Sequence, residues 1–119
     1  MVLVDTSVWV VHLRQGNIGL EHLLTENLVL GHPYIVGELA CGNLHNRAEI
    51  LSLLAALPQA VLANIGEVLQ FTETYRLMGR GLGYVDLHLL ASARLSRVPL
   101  WSLDKRLQEA AVDLRLAPS

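Results

Sequence analysis

Met1-Val2-Leu3-Val4-Asp5-Thr6-Ser7 opens the chain with a short, continuously apolar run that ends in an acid and two hydroxyl residues. An unbroken apolar run of this length marks a strand buried on both faces, as in a parallel sheet. Asp5-Thr6-Ser7 then offers N-cap chemistry for a helix reaching about Arg14, which Gly16 and Asn17 break.

The same alternation continues outward from that start. A short helix is expected over Leu20–Glu26, and Leu28-Val29-Leu30 reads as a second buried strand. After Gly31, His32 and Pro33, helices are predicted at about Tyr34–Leu44 and Arg47–Ala56, the latter stopped by Pro58. Ala60-Val61-Leu62 has the look of a short strand, and the spacing of Val68, Leu69, Thr72 and Tyr75 predicts a helix from Gly66 to about Met78. Gly79, Gly81 and Gly83 form a glycine-rich connector into the most apolar helix, Tyr84–Ser96. Pro99-Leu100-Trp101-Ser102 enters a strand that turns at Leu103-Asp104 into a last helix, Lys105–Val112, with Leu114–Leu116 as a final edge strand. Short apolar strands alternating with helices make an α/β fold with a mainly parallel central sheet of four to five short strands flanked by helices. Residues 1–119 are expected to form one domain.

Bulk composition narrows the function classes. Hydrophobic residues make up 52 % of the chain and charged residues 17 %, which excludes disorder. Aromatic residues are only 5 %, so the core must be aliphatic, and Trp9, Trp101 and Phe71 all fit core positions, leaving no aromatic stacking platform in view. The apolar runs are far shorter than the roughly 20 residues of a spanning helix. No basic-plus-apolar leader precedes the first strand, so a cytoplasmic protein without membrane attachment is expected. Cys41 is the single cysteine and cannot form an internal disulfide. Together with scattered histidines it gives no zinc-ligand spacing, and within Leu39-Ala40-Cys41-Gly42 it is expected to be a small buried residue. The net charge of −2 argues weakly against tight non-specific binding of nucleic acid. It says little against an enzyme whose carboxylates hold divalent cations, because the ions reverse the local field.

Most of the eleven acids have ordinary settings on helix faces. Asp5 and Asp104 do not: each follows a buried strand, and open α/β sheets bind ligands in the crevice outside those strand ends. Asp86, in the first turn of an apolar helix, is either a site acid or a cap that benefits from the helix dipole. Glu38 is either a snorkelling surface residue or, among Gly37, Ala40, Cys41 and Gly42, a closely packed acid that needs a partner. Carboxylates drawn together raise one another's pKa unless a cation joins them. A set of acids without His or Cys ligands favours Mg²⁺ or Mn²⁺ over zinc, and the waters such an ion keeps can supply the nucleophile for phosphodiester cleavage.

Leu3-Val4-Asp5-Thr6-Ser7-Val8-Trp9 resembles the opening of PIN-domain proteins, especially the VapC toxins of bacterial toxin–antitoxin pairs. Glu38-Leu39, then Gly83-Tyr84-Val85-Asp86 with Leu89-Leu90-Ala91-Ser92-Ala93, and Leu100-Trp101-Ser102-Leu103-Asp104 are similar to that family's remaining blocks in order and spacing. The resemblance spans the chain and implies a PIN-like ribonuclease domain over 1–119, with Asp5, Glu38, Asp86 and Asp104 as catalytic, metal-site acids. It implies that Thr6, Ser7 and Ser102 are supporting hydroxyls orienting carboxylates or waters. It further implies Mg²⁺ or Mn²⁺ as cofactor, RNA as substrate, a homodimer, and a cognate antitoxin whose C-terminal segment occupies the site.

His88 departs from the small or apolar residue usual two positions after Asp86. Two residues turn a helix by about 200°, so His88 is expected to be satisfied or partly exposed rather than catalytic. Arg94, Arg97, Lys105 and Arg106 are candidate RNA-backbone contacts beside the acids, with Arg76 and Arg80 weaker ones; an ordinary solvated surface is the competing reading. Two rival functions differ in class, and a third lies within the ribonuclease class. A haloacid-dehalogenase-like phosphatase would need a second Asp where Ser7 stands. A protein-binding PIN-like module would have no use for four acids. An RNA-processing nuclease outside a toxin pair shares the chemistry.

Overall fold

The apolar opening run is the middle strand of the sheet in the computed structural model, which describes residues 1–119. Strand β1 (Val2–Val4) lies between β2 (Val29–Leu30) and β3 (Leu100–Trp101), and both pairings are parallel. Val2 stands opposite Val29, Leu3 opposite Leu30 and Leu100, and Val4 opposite Trp101. Leu3 and Val4 are wholly buried, as a strand covered on both faces requires. The covering layers come from seven helices: α1 (Thr6–Gln15), α2 (Ile18–Thr25), α3 (Pro33–Ala40), α4 (Arg47–Ala56), α5 (Ile65–Thr74), α6 (Tyr84–Ser96) and α7 (Lys105–Asp113). The fold is therefore α/β with a parallel sheet and compatible with a PIN-like architecture.

The sheet has three strands, fewer than the four to five expected. At Ala60-Val61-Leu62 only a single bridge forms, between Gly31 and Gln59. Its bonds run from Gly31 N–H to the Pro58 carbonyl (2.8 Å) and from Ala60 N–H to the Gly31 carbonyl (2.9 Å). Pro58 has no N–H with which to extend the ladder. At Leu114–Leu116 the backbone is used differently. Arg115 is left-handed (φ 57°), and Leu116 N–H turns back to the Ala111 carbonyl at 2.7 Å, closing α7. One bond to the sheet remains there, from Leu100 N–H to the Leu116 carbonyl (2.7 Å).

Helix boundaries follow local chemistry. Helix α3 stops at Ala40, four residues before the expected end, and the Arg47 guanidinium caps the Ala40 and Gly42 carbonyls beyond it. This ending turns Cys41 outward: it is exposed, not the buried small residue expected from its apolar neighbours. Helix α6 is covered on all sides through its middle, with His88, Leu89, Leu90, Ala91, Ser92 and Ala93 all buried, while Arg94 and Leu95 in its last turn are exposed. That explains its nearly uniform apolar sequence. No helix is long and apolar enough to cross a membrane.

Candidate active site

All three strands end at one edge of the sheet, because they are parallel. Asp5 directly follows β1, and Ser102 directly follows β3. Each of these turns starts a helix, and the acids at the turns serve as helix caps. The Asp5 side chain accepts from Ser7 N–H at the head of α1 (3.4 Å), and Asp104 Oδ1 accepts from Leu107 N–H at the head of α7 (3.0 Å). Asp86 Oδ2 accepts from Gly83 N–H (2.8 Å) at the head of α6. Three helix N-termini thus meet three carboxylates, whose negative charge the helix dipoles favour. Asp86 caps its helix while standing within the field of the other three candidate acids.

Asp5 is the most enclosed of the four acids, with 5 % of its surface exposed. Its Oδ2 accepts from Ser7 Oγ (2.7 Å) and Ser102 Oγ (2.8 Å). The two hydroxyls in turn accept from the turn after β3: Leu103 N–H donates to Ser7 Oγ (2.9 Å) and Asp104 N–H to Ser102 Oγ (3.0 Å). A pair of serines therefore clasps the end of β1 to the turn that carries Asp104. Thr6 reaches the other way and donates to Glu38 Oε1 on α3 (2.6 Å).

Asp86 reports on the whole group. Burial pushes its carboxyl pKa up, the Gly83 N–H pulls it partly back, and the charges of Asp5, Asp104 and Glu38 push it further up. Four carboxylates within each other's field are a strained arrangement for a protein alone. Each spends one oxygen on a protein donor, and the second oxygen of each has no protein hydrogen bond. The oxygen-only donor set suits a hard divalent cation. No three His, Cys, Asp or Glu side chains stand together in an arrangement that holds an ion by itself. An ion that keeps most of its water shell does not need such a cage.

Glu38 is exposed rather than closely packed: a Cβ on Gly37 would meet nothing within 4 Å. It belongs with the other acids through Thr6 and through its effect on Asp86. Beside it a groove of about 630 Å³, lined in part by Thr6, Val10, Arg14, Glu38 and Leu44, runs off between α1 and the segment joining α3 to α4.

The expected basic residues separate into two groups. Lys105 and Arg106 lie in the first turn of α7, next to Asp104, and the Arg106 side chain lies against Gly81 in the glycine connector. Gly81 has φ 75° and no room for a Cβ there, which is why glycine occupies it. Arg94 and Arg97 do not stand beside the acids. They sit about 12 and 16 Å further along the α6 axis than Asp86, at the end where Pro99 leads into β3. There Arg94 donates to the Leu114 carbonyl (2.9 Å) and stacks over Tyr75 at 5.2 Å, and both arginines line a cavity with Arg115. Arg80 is paired with Asp113 (2.7 Å).

Two histidines were undervalued from sequence. His32 is buried and caps α3, its Nδ1 accepting from Tyr34 N–H (3.0 Å) and its Nε2 lying 3.2 Å from Ser92 Oγ. Burial, with the nearby His88, lowers its pKa to about 4. His88 is neither satisfied nor partly exposed: it is 3 % exposed and its Nε2 has no hydrogen-bond partner. The pattern His32-Pro33 before a helix was the available signal for a cap, and it reads equally well as a breaker.

No protein-family model matches the chain. Over 118 residues it is 43 % identical to Ribonuclease VapC32 of Mycobacterium tuberculosis strain CDC 1551 / Oshkosh, covering 98 % of this chain and 95 % of that protein. The same values hold for Ribonuclease VapC32 of strain ATCC 25618 / H37Rv.

Proposed function

The chain belongs to the VapC family of PIN-domain ribonucleases, and from that membership we propose that it is an endoribonuclease, the toxin of a toxin–antitoxin pair, that hydrolyses RNA phosphodiesters with Mg²⁺ or Mn²⁺. The observation that carries the metal chemistry is the gathering of Asp5, Glu38, Asp86 and Asp104 near the ends of parallel strands, each with one carboxylate oxygen free of protein donors. Such a group is incomplete without positive charge.

In this reading Asp5, Glu38, Asp86 and Asp104 hold a hydrated divalent cation through the oxygens that have no protein donor. When bound, the ion supplies charge neutralisation at a phosphate oxygen and an acidified water. The chain's own residues do the rest. Ser7 and Ser102 hold Asp5 in one orientation, Thr6 orients Glu38, and the three helix N-termini steady the carboxylates before substrate arrives. Lys105 and Arg106 contact the RNA backbone beside Asp104. Arg94 and Arg97, at the far edge, could reach only phosphates several nucleotides away. The groove beside Glu38 suits a segment of the cognate antitoxin, and the chain acts as one PIN-like domain that forms a homodimer.

Asp5→Asn is the decisive variant, since it keeps size and hydrogen bonding and removes one charge. Cleavage of cellular RNA, read by sequencing new 5′ ends after induction, is expected to fall at least 100-fold. Retention of full cleavage would falsify the metal chemistry.

A further inference from the structure

The chain has three tyrosines, two tryptophans and one phenylalanine. Sequence alone left no aromatic surface for RNA bases, because Trp9, Trp101 and Phe71 fitted the core. Two of the tyrosines, however, come to the acid edge. Tyr34 stands in the first turn of α3, four residues before Glu38 and so one turn away on the same helix face. Tyr84 is the first residue of α6, at the same end of the helix as Asp86 and about 3 Å from it along the axis, but turned about 200° around it, on the side that carries His88.

Both residues are exposed, Tyr34 at 38 % and Tyr84 at 51 % of the whole residue. They meet on a common neighbour. Each packs edge-to-face against the His88 imidazole, at centroid distances of 4.7 and 4.6 Å and interplanar angles of 67° and 85°. Tyr34 is also braced by His32 at 5.2 Å. The rings are thus held in place from below while part of their surface stays uncovered. The imidazole that braces them is itself buried, which fixes both rings against the body of the protein.

We propose that Tyr34 and Tyr84 form a base-stacking subsite, taking an unstacked base of single-stranded RNA from a nucleotide adjoining the scissile phosphodiester at the acids. Bases splayed from single strands are recognised by stacking on fixed aromatic rings, and such stacking tolerates any base because every base has a π-face. The subsite rests on the ribonuclease reading above, but it is tested by binding rather than by cleavage.

The probe is a fluorescein-labelled single-stranded oligoribonucleotide of mixed sequence, with a set of versions carrying one abasic position each, bound to the Asp5→Asn chain and followed by fluorescence anisotropy. Tyr34→Ala and Tyr84→Ala are each expected to weaken binding about 5- to 100-fold, while Tyr34→Phe and Tyr84→Phe bind as before. One abasic position should carry the same penalty, and the alanine variants should cost nothing further on that probe. Unchanged binding by the alanine variants, or an equal loss on every abasic probe, overturns the subsite. So does a loss confined to binding of the cognate antitoxin, which would assign the rings to a protein contact. If the Tyr variants bind RNA normally while Asp5→Asn abolishes cleavage, the subsite fails and the ribonuclease reading stands. If the wild-type chain neither binds nor cuts RNA, both fail.

Discussion

At Asp5 a single carboxylate oxygen takes two serine hydroxyls, and those hydroxyls are themselves fixed by the backbone N–H groups of Leu103 and Asp104. Removing Ser102 Oγ frees the carboxylate on one side and strands the Asp104 N–H. Ser102→Ala is therefore expected to lower cleavage about 10- to 100-fold, the usual cost of losing an orienting partner, with little change in RNA binding measured by anisotropy. His32 offers a different residue-level test. Its value near 4 in the fold lies below the ordinary 6.5, so between these pH values the unfolded chain takes up a proton that the folded chain refuses. Its contribution is complete above about pH 6.5 and is lost as pH falls toward 4, up to about 3 kcal/mol. The groups facing it are His88, Tyr34 and Ser92. His32→Asn keeps the cap and should flatten that part of the urea-unfolding profile relative to wild type. Of these residues, Asp5 and Asp104 were legible in the sequence because a carboxylate after a buried strand has a direction built into it. Glu38 and His88 were not, because exposure and partners at those positions are decided by what packs against the helix.

Among the elements, α6 ties the two edges of the sheet together. It begins at the acids with Asp86 and ends where Arg94 holds the Leu114 carbonyl and lies over Tyr75. Arg94→Ala removes a charge-assisted hydrogen bond and a cation–π contact, both exposed in part. We expect a loss of about 1–2 kcal/mol in chemical denaturation and cleavage of a short oligoribonucleotide within about 2-fold of wild type. The sequence showed α6 to the residue, Tyr84–Ser96, since Gly83 and a long apolar run leave few other readings. It overstated the strands at Ala60–Leu62 and Leu114–Leu116. Short apolar triplets look alike whether they extend a ladder or close a helix, and the left-handed Arg115 that decides the second case leaves no mark in composition.

For the molecule as a whole, the four clustered charges are expected to make stability depend on cations. An ion that binds only the folded chain stabilises it by about 2.7 kcal/mol at 100 times its dissociation constant. Millimolar Mg²⁺ or Mn²⁺ is expected to raise the thermal unfolding midpoint over that in chelator. Asp86→Asn should unfold at a higher temperature than wild type in chelator, because burial and three neighbouring carboxylates oppose the charge it removes, and it should lose much of the rise with metal. A midpoint indifferent to both changes would remove the case for a cation at these acids. The serine clasp has a consequence in the order of synthesis. Ser102 is made 97 positions after Asp5, and β3 cannot insert beside β1 until it exists. A ribosome translating this message therefore carries, for most of elongation, a nascent chain whose acids have not met. The candidate site therefore comes together only once nearly the whole fold has been made.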